Sequence, residues 1–230
     1  MRKRPEFSRN IYDPRNIQQV MSILEKQFNY TERTTLNRMR QDENKDPFKI
    51  LISCLLSLRS RDETTEKISN HLFQIADTPE KILSIQLTKL EGIIYSTGHY
   101  HKKALTLQSV SQELINRFKS QVPNTKEDLI SIKGIGPKTA NIVLNFAFNQ
   151  PTLPIDTHCH RIPNRLGWLR TRTPEQTEKV LEKILPKQYW FEFNGIFVLF
   201  GRTICTPISP KCSQCLISRY CQKIGVEKYR

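Results

Sequence analysis

The sequence predicts an all-α protein, and three patterns lead to that prediction. Apolar residues recur at helical spacing in most segments, beginning with Ile17 to Leu24. Several segments open on a capping residue followed by proline, as at Asp46-Pro47. Strand patterns are almost absent, since only Thr152 to Ile155 reads as extended. We therefore expect helices joined by short connections, without an internal repeat.

The first helix is expected around Ile17 to Phe28, followed by a polar linker, Thr31 to Lys45. The strongly apolar segment after Asp46-Pro47 belongs in the middle of a core, and Cys54 on it is expected to be a small buried hydrophobe. Asp62 is expected to cap the helix that comes next.

One short helix is then predicted to begin after Thr78-Pro79. Another is predicted to end at Ser96-Thr97-Gly98, where glycine would take the left-handed conformation common at helix C-termini. The loop Gly98 to Lys103 leads into a long amphipathic helix that ends near Phe118. In the C-terminal part, Thr173-Pro174 opens another capped helix, and an aromatic-rich helix covers Tyr189 to Arg202.

The charge balance indicates a polyanionic partner. Lys and Arg number 36 against 22 Asp and Glu, so the net charge of +14 favours nucleic acid over a neutral ligand, although a generally basic proteome would give the same excess. No apolar run reaches the roughly 18 residues of a membrane span, and none follows the basic start as in a secretory signal. We expect an intracellular protein of the cytoplasm or nucleoid, with no membrane partner.

The segment KGIGPKTAN is the first candidate site. Gly134 and Gly136 flank Ile135 and allow a tight turn before Pro137, which suits the start of a helix. We expect the amides around Ile135, Gly136 and Lys138 to point outward and bind a phosphate. A plain helical turn would also use glycine, but the added proline and lysine favour an anion site.

Lys138 falls in the first turn of that helix, where the helix dipole disfavours a cation. A neutral amine is the nucleophile that Schiff-base chemistry requires, although a lysine here could simply contact phosphate. Asp156 follows an apolar helix and a turn, so the returning chain could bring its carboxylate to Lys138. There it could accept a proton and stabilise positive charge at a sugar C1′. Alternatively, Asp156 only caps the helix after it.

Four cysteines near the C-terminus follow C-x6-C-x2-C-x5-C: Cys205, Cys212, Cys215 and Cys221. Four close thiolates can hold tetrahedral zinc or an iron–sulfur cluster. Zinc sites usually pair two CxxC units, and only one is present, so the spacing favours a cluster while leaving zinc open. Neighbouring Lys211 would add basic surface, and we expect the metal to support DNA binding structurally.

Together these motifs resemble endonuclease III, of the helix-hairpin-helix DNA glycosylase superfamily. The resemblance runs from about Asp46 to Cys221 through PFKILISCLLS, SIKGIGPKTANIVLNFAF, PIDTH, LFGRTIC and the cysteine pattern. It implies that the cysteines hold a 4Fe-4S cluster, that Lys138 is the nucleophile and that Asp156 is its partner.

The resemblance also implies a fold and a substrate. A helical-barrel domain with the helix-hairpin-helix would span residues 41–150, and residues 1–40 with 151–230 would form a discontinuous cluster domain. The substrate would be double-stranded DNA with damaged bases or abasic sites, bound by a monomer that flips an oxidised pyrimidine outward. The lysine would displace the base, and β-elimination would cut the strand on the 3′ side.

Three residues depart from the family's common pattern. Arg59 stands where glutamine commonly fills the gap left by the flipped nucleotide, and His99 stands where a leucine commonly wedges between bases. Lys133 replaces a frequent hairpin proline and adds charge near phosphate. We expect Arg59 and His99 to contact DNA and to alter the opposite-base preference.

Two alternatives stay open. A monofunctional mismatch glycosylase of the same superfamily would commonly lack the lysine. A DNA-binding protein without catalysis would keep the hairpin and the cluster only as scaffolding.

Overall fold

The computed structural model of the chain describes residues 14–28, 45–60 and 62–230. The chain divides into two compact units, Met1–Tyr30 with Leu153–Arg230 and Thr31–Thr152. The later boundary lies two residues beyond the expected end at residue 150. The expected linker, Thr31 to Lys45, lies outside the described residues except for Lys45.

Within the described ranges all regular secondary structure is helical, which confirms the all-α prediction. The stretch Thr152 to Ile155, expected to be extended, has no regular secondary structure and pairs with no strand among the described residues. No helix in these ranges is both long enough and apolar enough to cross a membrane.

Seven helices belong to the described part of the second unit: α2 Pro47–Ser57, α3 Asp62–Ile75, α4 Pro79–Ser84, α5 Leu87–Ile93, α6 Tyr100–Phe118, α7 Lys126–Ser131 and α8 Pro137–Phe148. The apolar helix α2 packs against α3, α6 and α8. Asp46 caps it as expected, because its Oδ1 accepts from the amides of Phe48 at 2.9 Å and Lys49 at 3.2 Å. Cys54 is only 1% exposed, which confirms its prediction as a core residue.

The described part of the first unit contains α1 Pro14–Gln27, α9 Thr157–Leu166, α10 Pro174–Ile184 and α11 Trp190–Thr203, with 3-10 turns at Lys187–Tyr189, Cys212–Gln214 and Ser218–Tyr220. Helix α11 packs against α1 and α9, and its Phe193 and Phe197 rings stack at 4.1 Å inside the core. The Asn194 side chain donates to the Pro154 carbonyl at 2.7 Å, which fixes the extended segment before α9.

Three local predictions are wrong in detail. Gly98 does not take the left-handed conformation, which falls on His99 with φ 58°. Helix α6 begins directly after it, at Tyr100, so four of the six residues in the expected loop Gly98 to Lys103 are helical. Asp62 is the first residue of α3 rather than the residue before it.

Gly98 is required for space instead. A Cβ at that position would lie 2.8 Å from the Arg59 carbonyl oxygen, closer than real side chains come to backbone. The glycine therefore allows two chain segments to come into contact, and the left-handed turn is made by His99.

Candidate functional site

The glycine hairpin is a closed turn between α7 and α8. The amide of Ile135 donates to the carbonyl of Ile132 at 3.1 Å, and the side chains of both residues are buried. Gly134 has φ 105°, a conformation that favours glycine, and a Cβ there would meet Thr106 Cγ2 of α6 at 2.8 Å. The hairpin is therefore docked on α6.

This geometry corrects one expectation about the anion site. Since the Ile135 amide is bonded within the turn, it does not point outward as predicted. Gly136 caps α8 and Pro137 has no amide hydrogen, so the first unbonded helix amides belong to Lys138 and Thr139. Lys133, Gly134 and Gly136 are exposed around them. Phosphate binding by this group stays a prediction.

Lys138 lies in the first turn of α8, half-buried and close to Cys54 of α2. Burial raises the pKa of the Cys54 thiol to about 12, and the Lys138 ammonium opposes that rise. The thiol is therefore protonated at neutral pH and is a poor nucleophile. The Lys138 amine is the better candidate nucleophile at this position.

Asp156 lies in the other unit, as the N-cap of α9. Its Oδ1 accepts from the amides of His158 and Cys159, both at 2.8 Å, so the capping role is confirmed. Both bonds use the same oxygen. The carboxylate is half-buried, and the cap leaves its Oδ2 unused. A second role in proton transfer is compatible with that geometry and stays a prediction.

Arg59 and His99 lie in two exposed connections of the second unit, which we call the paired loops (residues 58–60 and 94–99). Both residues are left-handed, with φ 56° and 58°, which is uncommon for residues other than glycine. The loops contact each other, because Gly98 packs against the Arg59 carbonyl and its amide donates to Ser60 Oγ at 3.2 Å. No sequence motif predicted this contact between the two loops.

Sequence reasoning also missed Lys103, which is 8% exposed on α6. Its Nζ donates to the Leu56 carbonyl at 2.7 Å and to Ser60 Oγ at 2.8 Å. Burial lowers the pKa of its ammonium to about 8. One signal was present, since Lys103 precedes Leu107 and Val110 at helical spacing and so lies on the apolar face of α6.

The cysteine pattern folds into one pocket of the first unit. Its four members, Cys205, Cys212, Cys215 and Cys221, line the pocket together with Lys211, and none forms a disulfide. Burial, together with a smaller effect of the three neighbouring thiols, raises the pKa of the Cys215 thiol to about 11. Metal binding would therefore have to displace a proton from Cys215.

Two hydrogen-bond donors reach sulfur in this pocket. The buried Arg165 guanidinium lies 3.5 Å from Cys205 Sγ and donates to the carbonyls of Thr206 at 2.7 Å and Pro207 at 2.6 Å. The Lys223 amide donates to Cys221 Sγ at 3.3 Å. Such donors stabilise thiolate ligands, so the surroundings suit sulfur bound to a metal.

The four cysteine sulfurs are spread around the pocket. Among the described residues, no three His, Cys, Asp or Glu side chains converge closely enough to hold a single metal ion. The cysteines instead stand around a pocket whose other walls are mainly apolar, with Ile162, Phe200 and Ile217 among them. An iron–sulfur cluster fills volume between its thiolates, and this donor set and lining fit such a group.

Comparison with known proteins gives the family. Residues 52–187 match the profile of the HhH-GPD superfamily base excision DNA repair proteins. Endonuclease III of Thermotoga maritima is 44% identical over 183 residues, which cover 80% of this chain and 86% of that protein. Endonuclease III of Buchnera aphidicola subsp. Baizongia pistaciae is 39% identical over 175 residues, covering 76% of this chain and 81% of that protein.

Solved structures agree with the sequence relatives. A trapped endonuclease III–DNA covalent intermediate has a TM-score of 0.81 and 30% identity, covering 92% of this chain and 97% of that one. A thermostable thymine-DNA glycosylase has a TM-score of 0.80 at 23% identity, covering 91% and 96%, and so shares the fold. The chain therefore belongs to the HhH-GPD superfamily of base excision DNA repair proteins and, within it, to the endonuclease III family.

Proposed function

We propose that this protein is a bifunctional DNA glycosylase and AP lyase that removes oxidised pyrimidines from duplex DNA. The observation that carries the proposal is Lys138 in the first turn of α8, directly after the glycine hairpin, in a chain of the endonuclease III family. The endonuclease III–DNA complexes among its structural relatives support DNA as the substrate.

In the proposed reaction, the neutral Lys138 amine attacks C1′ of a flipped nucleotide, and the base leaves with the electrons of its bond to C1′ and takes a proton from water. The ionised Asp156 carboxylate stabilises the positive charge that develops at the sugar, and it then accepts the proton that the attached amine loses. The sugar ring then opens to a Schiff base. Loss of a proton from C2′ breaks the C3′–O bond, and water releases the lysine.

The hairpin and the cysteine pocket serve binding in this proposal. The amides at the start of α8 and the exposed Lys133 would hold a backbone phosphate, which fixes the DNA relative to Lys138. The four cysteines would hold a 4Fe-4S cluster as structural support, and Lys211 at the pocket would contact a phosphate. No chemical step passes through the cluster.

Borohydride trapping tests the proposal. Reduction of the Schiff base should link the native protein covalently to duplex DNA with an oxidised pyrimidine, and Lys138→Gln should abolish the link. Lys133→Gln removes a hairpin charge five residues away, and at saturating DNA it should still be trapped. Trapping of Lys138→Gln at the native level would refute the assignment.

Product analysis separates the alternatives. Base release from a mismatched duplex without strand cleavage would identify a monofunctional mismatch glycosylase. Unchanged DNA after incubation of the cluster-loaded protein with both damaged and mismatched duplexes would identify a DNA-binding protein without catalysis.

A further inference from the structure

The left-handed conformations in the paired loops require stabilising contacts. A left-handed conformation is unfavourable for arginine and histidine and persists only where the surrounding structure fixes it. Arg59 and His99 are both left-handed and both exposed, so little of either side chain is buried in contacts that would hold it. The fixing contacts must come from neighbouring residues.

Those contacts converge on the Lys103 ammonium and the Ser60 hydroxyl. Lys103 Nζ donates to the Leu56 carbonyl, which lies in the last turn of α2, and to Ser60 Oγ. The carbonyls at a helix C-terminus lack intrahelical partners and attract a cation. Ser60 Oγ also accepts from the Gly98 amide. Through this one oxygen the loop after α2, the loop before α6, and α6 itself are joined.

Lys103 is a poor residue to place here for stability alone. It is almost excluded from water, and its partners in the described part of the chain are a carbonyl and a hydroxyl, which carry no charge. Burying a cation without an anionic partner is unfavourable. A methionine would fill the same space without that cost, but it would donate no hydrogen bond to Leu56 or Ser60.

We propose that Lys103 is a positioning residue which, through Ser60, holds Arg59 and His99 as one rigid element that enters DNA around the lesion. This inference rests on the proposed function, since it assumes that the paired loops contact the damaged duplex. Without the link, each loop can relax toward a right-handed conformation, and the two side chains reach the DNA independently. Lys103 then affects recognition of the lesion without contacting the DNA.

The test compares Lys103→Met and Ser60→Ala with Lys102→Met in the cluster-loaded protein. Lys102 is the exposed neighbour of Lys103, so its replacement removes the same charge and leaves the link intact. On a duplex with an oxidised pyrimidine, we expect kcat/KM to fall about tenfold for the first two variants and less than about threefold for the control. Ser60→Ala removes only a hydroxyl and keeps the test valid if Lys103→Met folds poorly.

Two further readouts distinguish positioning from a general structural role. Replacing Arg59 and His99 by alanine, singly and together, should give non-additive losses in the native background and additive losses with Lys103→Met. Discrimination among the four bases opposite the lesion should also weaken in Lys103→Met and Ser60→Ala but not in Lys102→Met.

Borohydride trapping on single-stranded DNA with an abasic site separates this inference from the proposed function. That substrate has no opposite strand to open, so all three variants should trap like the native protein. Absence of trapping by the native protein would refute the lyase function. If the native protein is trapped but Lys103→Met and Ser60→Ala are as active on the duplex as Lys102→Met, the positioning role is refuted. It is also refuted if Lys103→Met and Ser60→Ala lose trapping on the single strand.

Discussion

The glycine hairpin and the paired loops are both connections between helices of the same unit, but different kinds of contact fix them. The hairpin is closed by a hydrogen bond between Ile135 and Ile132, three residues apart, and by glycine at its left-handed position. The paired loops place arginine and histidine in that conformation, and bonds between residues 38 to 47 positions apart join them.

The difference separates two tasks. The residue proposed for the chemistry follows a turn whose conformation its own sequence neighbours determine, and that turn is docked on α6. The residues proposed to meet the lesion depend on a lysine and a serine from distant segments. Disturbing the first region should mainly reduce stability, whereas disturbing the second should mainly reduce recognition of damaged duplex DNA.

The largest effect is expected for Gly98→Ala. The added methyl group would meet the Arg59 carbonyl at 2.8 Å, so the paired loops must separate, and a displacement of this size can reduce activity on a damaged duplex about 10²-fold. Gly92→Ala is the control, because nothing lies within 4 Å of a Cβ there and alanine favours helix α5. Single-turnover base release measures both variants, and similar rates would show that the close contact is unimportant.

For the hairpin, Gly134→Ala should lower the free energy of unfolding by about 2 kcal/mol, because alanine at φ 105° is strained and its methyl group crowds Thr106. Gly136→Ala should change it by no more than about 0.5 kcal/mol, since φ is −93° and the space is open. Denaturant unfolding of the two variants checks the contrast. Equal losses would mean that the hairpin depends on more than the conformation of one glycine.

The link between the paired loops should depend on pH. Burial lowers the pKa of Lys103 to about 8 from 10.5, so holding the charged form costs stability below pH 8. That cost disappears as the pH rises from about 8 to 10.5. Relative to Lys103→Met, the native free energy of unfolding should therefore rise over this window, by at most about 3 kcal/mol. Unfolding curves at several pH values test it, and a constant difference would contradict a buried charge.

The smallest effect is expected for the N-cap of α2, a helix that contributes residues next to both regions. Helix α2 carries Cys54, close to Lys138, and leads into the loop with Arg59. Asp46→Ala removes the cap of α2 and should cost about 1 kcal/mol, whereas Asp46→Asn should retain most of the stability. Activity at low temperature should stay near native for both. A loss of duplex activity larger than the loss of stability would mean that α2 transmits strain to the loops.

The parts of the fold that neighbouring residues determine were predictable from the sequence. Thr78 and Thr173 each cap a helix through a bond to an amide three residues later. Such caps depend only on nearby residues, so their motifs can be recognised in a single sequence. The cysteine spacing was informative for the same reason, because three of the four residues lie within ten positions of one another.

The parts that depend on distant contacts were not predictable. The turn was expected at Gly98 because glycine favours a left-handed conformation, but the glycine is needed for closeness to a backbone 39 residues away. The Ile135 amide was expected to face outward, yet the turn uses it internally. Lys103 resembled an ordinary charged residue because its partners, Leu56 and Ser60, are separated from it in sequence.

Helix α6 relates the two regions through residues less than one turn apart. Lys103 bonds the paired loops, and Thr106 lies against Gly134 of the hairpin, about 4.5 Å further along the helix axis. With the roles proposed for Arg59 and His99, mutation would exchange these exposed side chains and alter which lesions are accepted, while the spacing to the hairpin is unchanged. New substrate ranges can evolve on this framework without rebuilding the step that breaks the bond.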